Sequence, residues 1–216
     1  MSKPFAFPWD RVKPYKFYGF EMAFVTVVGH AMYNIKVKGR ENLPASASGM
    51  ILACNHQHSI DPAFLMVATR QRWRFIAKIE LFKNKLAATI LTHANAFPVD
   101  RGNVDRRALD FALAAMAEGS YGLGVFPEGT RSHDGVPKEG KSGVAMIARR
   151  TKADVLPCAI YHDGPLKLRN KVTVRVGPVI PFAELGLGEA PNKRQSQAAT
   201  DQIMAAIRAL WQQGHE

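Results

Sequence analysis

The chain has 216 residues, 47% of them hydrophobic and 22% charged, and 29 Lys and Arg against 18 Asp and Glu give it a formal net charge of +11. That length suits one domain with a real core and is short for two, and the composition excludes a disordered chain. The cationic excess favours a polyanionic partner; with no recognition-helix pattern or stacking aromatics on a sheet, no nucleic acid is expected, which leaves an anionic membrane surface or phosphorylated ligands.

The N-terminus shows no compact apolar run followed by a small-residue cleavage site, so no secretory signal is expected. Phe17 to Ile35 is rich in Phe, Val and Met, but Glu21 and His30 interrupt it. It reads as an amphipathic helix rather than a span of ~20 apolar residues. Trp9, Arg11, Lys13, Tyr15, Lys16 and Tyr18 precede it, a mixture of aromatics and cations that suits a lipid headgroup layer. Residues 1–35 are therefore expected to be a membrane-associating segment and residues 36–216 the main domain. The competing reading is a helix packed on the protein's own core.

Short apolar runs then alternate with helical stretches. Strands are expected at Asn34 to Val37, Met50 to Cys54, Arg74 to Ala77 and Ala96 to Val99, and again at Leu123 to Phe126, Val155 to Ile160 and Val172 to Val176. Asp61-Pro62 opens a helix through Phe64, Leu65 and Val67, since proline is tolerated in a first turn. Further helices are expected at Leu81 to Leu91, at Arg106 to Glu118 with Gly119 as a stop, and at Ser142 to Arg150. Ala199, Ile203, Ile207, Leu210 and Trp211 form the stripe of a closing helix. The alternation implies an α/β fold in which helices cover a mixed, largely parallel sheet. Sites in such sheets gather in loops at the strand carboxyl ends.

Cys54 and Cys158, the only cysteines, each lie in an apolar run and read as buried free thiols in a reducing compartment. No CxxC spacing exists, so a cysteine-based zinc site is not expected.

Two motifs carry the chemistry, and each follows an expected strand. Asn55-His56-Gln57-His58-Ser59-Ile60-Asp61 places an imidazole and a carboxylate in one turn, a geometry suited to a general base with an orienting partner. His56, His58 and Asp61 also admit a rival reading as ligands of a metal hydrolase, although the other histidines, His93, His133 and His162, are not clustered with them. Val125-Phe126-Pro127-Glu128-Gly129-Thr130-Arg131-Ser132 places a carboxylate, a hydroxyl and a guanidinium in a glycine-containing turn, suited to gripping a phosphorylated substrate. Arg131 can make charge-assisted bonds to phosphate of roughly 1.5–3 kcal/mol each. Gly129 lets backbone approach a ligand, and Glu128 has the alternative of pairing with a nearby arginine. Lys141, before the helix at Ser142, marks either an anion site at a helix N-terminus or a solvated turn.

With these motifs in order, the chain resembles the glycerophospholipid acyltransferases, most closely the bacterial 1-acylglycerol-3-phosphate acyltransferases. The resemblance covers roughly Lys36 to Pro181. His56 and Asp61 match the family's His-x4-Asp signature, and Phe97-Pro98-Val99-Asp100-Arg101-Gly102 looks like its second block. Phe126 to Ser132 matches the third, and Val155-Leu156-Pro157 looks like the fourth, a strand ending at a proline. One departure is His58, which stands where the family often has serine.

The resemblance implies acyl transfer from acyl-CoA or acyl-carrier protein to the sn-2 hydroxyl of a lysophospholipid acceptor, 1-acylglycerol 3-phosphate, giving phosphatidic acid at the cytoplasmic face of the cell membrane. Other implied outcomes are transfer to a different acceptor, glycerol 3-phosphate or another lysophospholipid; a non-catalytic basic membrane-docking protein is the reading from another class. Imidazole, with a reference pKa of ~6.5, is the side chain best poised to take the acceptor's proton near neutral pH. His56 is then the base and Asp61 its orienting partner, with the substrate hydroxyl in the place that serine holds in a Ser-His-Asp triad. Arg101, Glu128, Gly129, Thr130, Arg131 and Lys141 are the expected substrate-binding residues. No cofactor and no metal are expected.

Overall fold

Every residue of Ile51–Cys54 is buried, because this strand lies at the middle of the sheet with both faces covered. The structure is a computed structural model that describes residues 18–84, 88, 96–99, 110, 113–114, 116, 121–132 and 134–216. Its strands are β1 (Asn34–Lys38), β2 (Ile51–Cys54), β3 (Trp73–Lys78), β4 (Ala96–Val99), β5 (Gly122–Val125), β6 (Val155–Tyr161) and β7 (Lys171–Val176). They form one sheet in the order β1-β7-β6-β2-β5-β3-β4. All neighbours are parallel except β6 and β7, which run antiparallel.

Among the described residues the long helices are α1 (Tyr18–Met32), α2 (Asp61–Thr69), α3 (Gly143–Thr151) and α4 (Lys193–Gln212). Period-two alternation sorts the strand residues to two faces. Leu52 and Cys54 point into the core under α1 and α2, with Phe64, Leu65, Leu156 and Cys158. Ile51 and Ala53 point into the opposite core under α3 and α4, with Val144, Ala148, Ile203 and Ile207. The chain is thus a mixed, largely parallel sheet between two helical layers. Asn192 starts α4 with a capping box, its side chain accepting from the backbone of Gln195 at 2.9 Å.

Gly122 and Gly124 are glycines for a steric reason. A Cβ at Gly122 would lie 2.3 Å from the Trp73 ring, and one at Gly124 would lie 2.3 Å from the Phe75 ring. Neither position leaves room for a Cβ beside these rings.

The expected strands all form, with ends shifted by a residue or so. The expected helix from Leu81 is a 3-10 turn over Ile79–Lys83, and most of its remainder lies outside the described residues. In the stretch Arg106 to Glu118 the described residues Asp110, Leu113, Ala114 and Met116 are helical. Val155 to Pro157 does not end at its proline: β6 runs on to Tyr161. Pro157 is tolerated because its missing N–H faces a gap in pairing. Below it Val155 bridges Ile180, above it β7 pairs from Cys158, and between them the Pro157 carbonyl accepts from Gly177 at 2.8 Å.

The N-terminal helix forms at Tyr18–Met32 and packs on α2. Met22 is buried beneath it, yet its outward side carries Phe24 and Val27, 62% and 68% exposed. It is therefore apolar on its outer side as well as its inner one. Among the described residues no helix is long and apolar enough to cross a membrane.

Candidate active site

The two motifs meet because their strands are neighbours in step. Ala53 of β2 lies opposite Val125 of β5, so His56 and Glu128 leave the sheet edge at equivalent positions. Asn55 fixes the exit of β2. It is fully buried, donates from Nδ2 to the Ile160 carbonyl at 3.0 Å and accepts the Ile160 N–H at Oδ1 at 2.9 Å. One amide side chain therefore ties the His56 loop to β6.

His56 Nδ1 lies 2.8 Å from Asp61 Oδ2. The same oxygen accepts the backbone N–H groups of Gln57 at 2.7 Å and His58 at 2.8 Å. Three donors converge on one atom of a carboxylate that is fully buried at the first residue of α2. Such an arrangement fixes Asp61 and makes Nδ1 the hydrogen-bearing nitrogen of His56, leaving Nε2 as the acceptor nitrogen. The imidazole stacks on Phe126, with ring centroids 4.1 Å apart and planes 17° from parallel, and Phe75 continues the stack behind Phe126. The ring is held at its edge by the carboxylate and at its face by an apolar wall.

Among the described residues Glu128 pairs with no arginine. Its Oε1 accepts the His56 backbone N–H at 2.8 Å and its Oε2 accepts the Lys138 N–H at 3.1 Å. Burial pushes its carboxyl above the ordinary range, against the opposing pull of these two bonds. Ser132 returns a second tie, its N–H donating to the His56 carbonyl at 2.7 Å. Both ends of the His56 peptide are thus held by the second motif.

Gly129 has φ of 70°, and a Cβ there would lie 3.2 Å from Lys141 Cδ and 3.3 Å from Lys141 Nζ. The Lys141 side chain runs across the glycine, which brings its ammonium to the second motif. Thr130 and Arg131 are exposed. The structure therefore gathers His56, Asp61, Glu128, Gly129, Thr130, Arg131 and Lys141 at one edge of the sheet, while Arg101 lies outside the described residues. His58 turns its Nδ1 to the Ile60 N–H at 3.3 Å, a contact that shapes its own loop. Among the described residues no three His, Cys, Asp or Glu side chains are grouped to hold a metal.

The profile of the Acyltransferase family matches residues 34–161. The chain belongs to the acyltransferase family. Over 182 residues this acyltransferase is 33% identical to the 1-acyl-sn-glycerol-3-phosphate acyltransferase of Bacillus subtilis (strain 168), covering 82% of this chain and 87% of that one. It is 28% identical over 184 residues to the Streptococcus pneumoniae protein of the same name, covering 80% and 66% of the two chains. Its fold resembles the crystal structure of the LPA acyltransferase PlsC from Thermotoga maritima, with a TM-score of 0.67 and 24% identity over 89% of this chain and 79% of that one.

Three residues that hold the His56 loop in place carry no role in the motifs themselves. Asn55, Phe126 and Ser132 all lie inside the quoted motifs, but what they do is set by partners far along the chain. Asn55 offered one signal: a strongly polar residue directly after four buried apolar ones needs a partner.

Proposed function

We propose that this enzyme moves a fatty acyl group from a thioester donor, acyl-CoA or acyl-carrier protein, to the sn-2 hydroxyl of 1-acylglycerol 3-phosphate, forming phosphatidic acid. The names of its relatives support this acceptor. The observation that carries the mechanism is the His56–Asp61 pair at 2.8 Å, which makes Nε2 the acceptor nitrogen. In the reaction the acceptor oxygen attacks the thioester carbonyl while Nε2 of His56 takes the hydroxyl proton. The C–O bond forms, the C–S bond breaks, and the proton passes from His56 to the departing thiolate. Asp61 holds Nδ1–H throughout and stabilises the imidazolium between these two transfers.

Arg131 and Lys141, with Arg101, are assigned to the acceptor phosphate, and Gly129 and Thr130 to the glycerol beside it. Glu128 acts through the His56 backbone as a positioning residue, because both of its oxygens are already engaged. No cofactor is assigned. The outward Phe24 and Val27 of α1, with the +11 charge, support peripheral or monotopic docking on an anionic membrane at its cytoplasmic face.

The decisive experiment is a panel of acceptors and both donor classes with detergent-dispersed substrate, run on wild type and His56→Ala. Transfer to 1-acylglycerol 3-phosphate that is abolished in the folded variant supports the assignment. A wild-type rate in His56→Ala sinks the mechanism, and transfer only to another acceptor sinks the substrate.

A further inference from the structure

A cleft of about 550 Å³ opens at the carboxyl edge of the sheet beside β6. That volume falls in the range of about 300–1,000 Å³ that accepts small molecules. Gln57 and His58 line it from the catalytic loop, His162 and Leu166 from the loop after β6, and Trp211 from the end of α4. Gln57 follows His56 directly, and the lining residue Ser132 donates to the His56 carbonyl. The cleft and the base therefore share a wall.

Three buried polar atoms on these walls have no partner among the described residues: Gln57 Oε1, His162 Nε2 and Trp211 Nε1. Their hydrogen-bonding sense is fixed by what their neighbouring atoms do. Gln57 Nε2 donates to the Gly135 carbonyl, which leaves Oε1 as a bare acceptor. His162 Nδ1 lies 2.9 Å from the Gly164 carbonyl, which only accepts, so Nδ1 carries the hydrogen and Nε2 is a second acceptor. The indole N–H of Trp211 is a donor only. Unmade bonds at buried atoms are costly, and a ligand that supplies them is held by them.

The cleft is also lined by the exposed carboxylates Asp134 and Asp163. Two acidic groups disfavour a phosphate, so the acceptor headgroup belongs with Arg131 and Lys141 instead. What fits two acceptors and one donor beside apolar Leu166 and the Trp211 ring is a neutral, slender chain bearing secondary amides, each with an N–H and a carbonyl.

We infer that this cleft receives the pantetheine arm of the acyl thioester. The inference rests on the transferase reading above and assigns the donor's place within it. Pantetheine carries two secondary amides and ends in the sulfur that bears the acyl group. Coenzyme A and acyl-carrier protein present the same arm, so the cleft reads what the two donors share. The phosphate joining the arm to either carrier stays outside, away from Asp134 and Asp163.

The test compares palmitoyl-CoA, palmitoyl-carrier protein and S-palmitoyl-mercaptoethanol, which lacks the arm, on full-length wild type, His162→Phe and Trp211→Phe. Loss of one neutral hydrogen bond predicts that each variant lowers kcat/KM for both arm-bearing donors about tenfold more than for the armless thioester. Equal effects on all three donors overturn the assignment, as does an effect on palmitoyl-CoA alone. Calorimetry with an unreactive S-alkyl pantetheine thioether reads the cleft without turnover: saturable binding weakened about tenfold in both variants supports it, and no binding to wild type overturns it. Binding by a wild type that acylates no acceptor leaves the cleft assignment standing and sinks the transferase reading.

Discussion

Glu128 Oε1 accepts the backbone N–H of His56 at 2.8 Å, across 72 residues of sequence. Its other oxygen takes the Lys138 N–H, so one buried carboxylate clamps the His56 loop to the segment that leads to Lys141. Gln at this position keeps one acceptor oxygen for two donors and turns an amide N–H₂ against a backbone N–H. Glu128→Gln should lower kcat about 10- to 100-fold while changing the acceptor KM less, because the residue acts through His56 rather than on substrate. The pH dependence of stability gives an independent check. Burial raises the Glu128 pKa, so the folded state binds this proton more tightly than the unfolded chain does. The stability gained from it is full below the ordinary carboxyl range and is lost as pH rises through the raised value. Urea unfolding across that window should show wild type losing stability relative to Glu128→Gln as pH climbs. A constant difference would count against the buried clamp.

Asp61 has the opposite kind of role, three donors on one oxygen. Asp61→Asn keeps one acceptor oxygen for the three donors but removes the negative charge that stabilises the His56 imidazolium. By analogy with the Asp→Asn change in a serine-protease triad, kcat should fall about 10³–10⁴-fold. Circular dichroism should show the fold retained. A loss below tenfold would remove Asp61 from the mechanism.

The alternation of apolar runs was enough to read the layered α/β fold, because a doubly covered strand such as β2 must be continuously apolar. His56 and Asp61 were legible for a related reason: they lie within one turn, and their contact is local. The Glu128 clamp was not legible, since its partners are backbone groups that carry no side-chain signature. The close approach of Lys141 over Gly129 was not legible, because it depends on the φ of 70° at the glycine. The outward side of α1 went the other way. Glu21 and His30 made the segment look amphipathic, whereas Phe24 and Val27 lie one turn apart on its exposed side.

Cys54 and Cys158 are adjacent in register on β2 and β6, and both are fully buried. Burial pushes both thiols above their usual range, and the neighbouring Cys158, Asp61 and Glu128 push Cys54 further. A thiolate is the reactive form, so neither should react in the folded protein at neutral pH. Titration with an aromatic disulfide reagent should find no fast thiol in native buffer and two in denaturant. A fast native thiol would show that this part of the core opens.

The outward face of α1 gives a membrane prediction. Phe24 and Val27 contact little of the protein, so replacing both with Ser should leave the melting temperature nearly unchanged. Burial of each in lipid is worth about 1.5–3 kcal/mol, and the double variant should bind anionic vesicles about 10²-fold more weakly or worse. Flotation with phosphatidylglycerol vesicles measures this, and added salt should weaken wild-type binding as well. Unchanged flotation of the double variant would mean that α1 is covered by something other than lipid.

Gly129 and Lys141 offer the sharpest test of the phosphate assignment, because their effects separate. At φ of 70° a side chain is strained, by roughly 1–2 kcal/mol, and a Cβ would press on the Lys141 stem at 3.2 Å. Gly129→Ala should displace the ammonium and raise the acceptor KM. Lys141→Ala removes the ammonium without backbone strain and should raise the acceptor KM about tenfold or more, the worth of one charged hydrogen bond, with only a small change in melting temperature. If the ammonium is what matters, Gly129→Ala should add little once Lys141 is already Ala, since the shorter side chain no longer meets the new methyl. Additive effects in the double variant would instead place Gly129 itself against the substrate and leave Lys141 a separate contact.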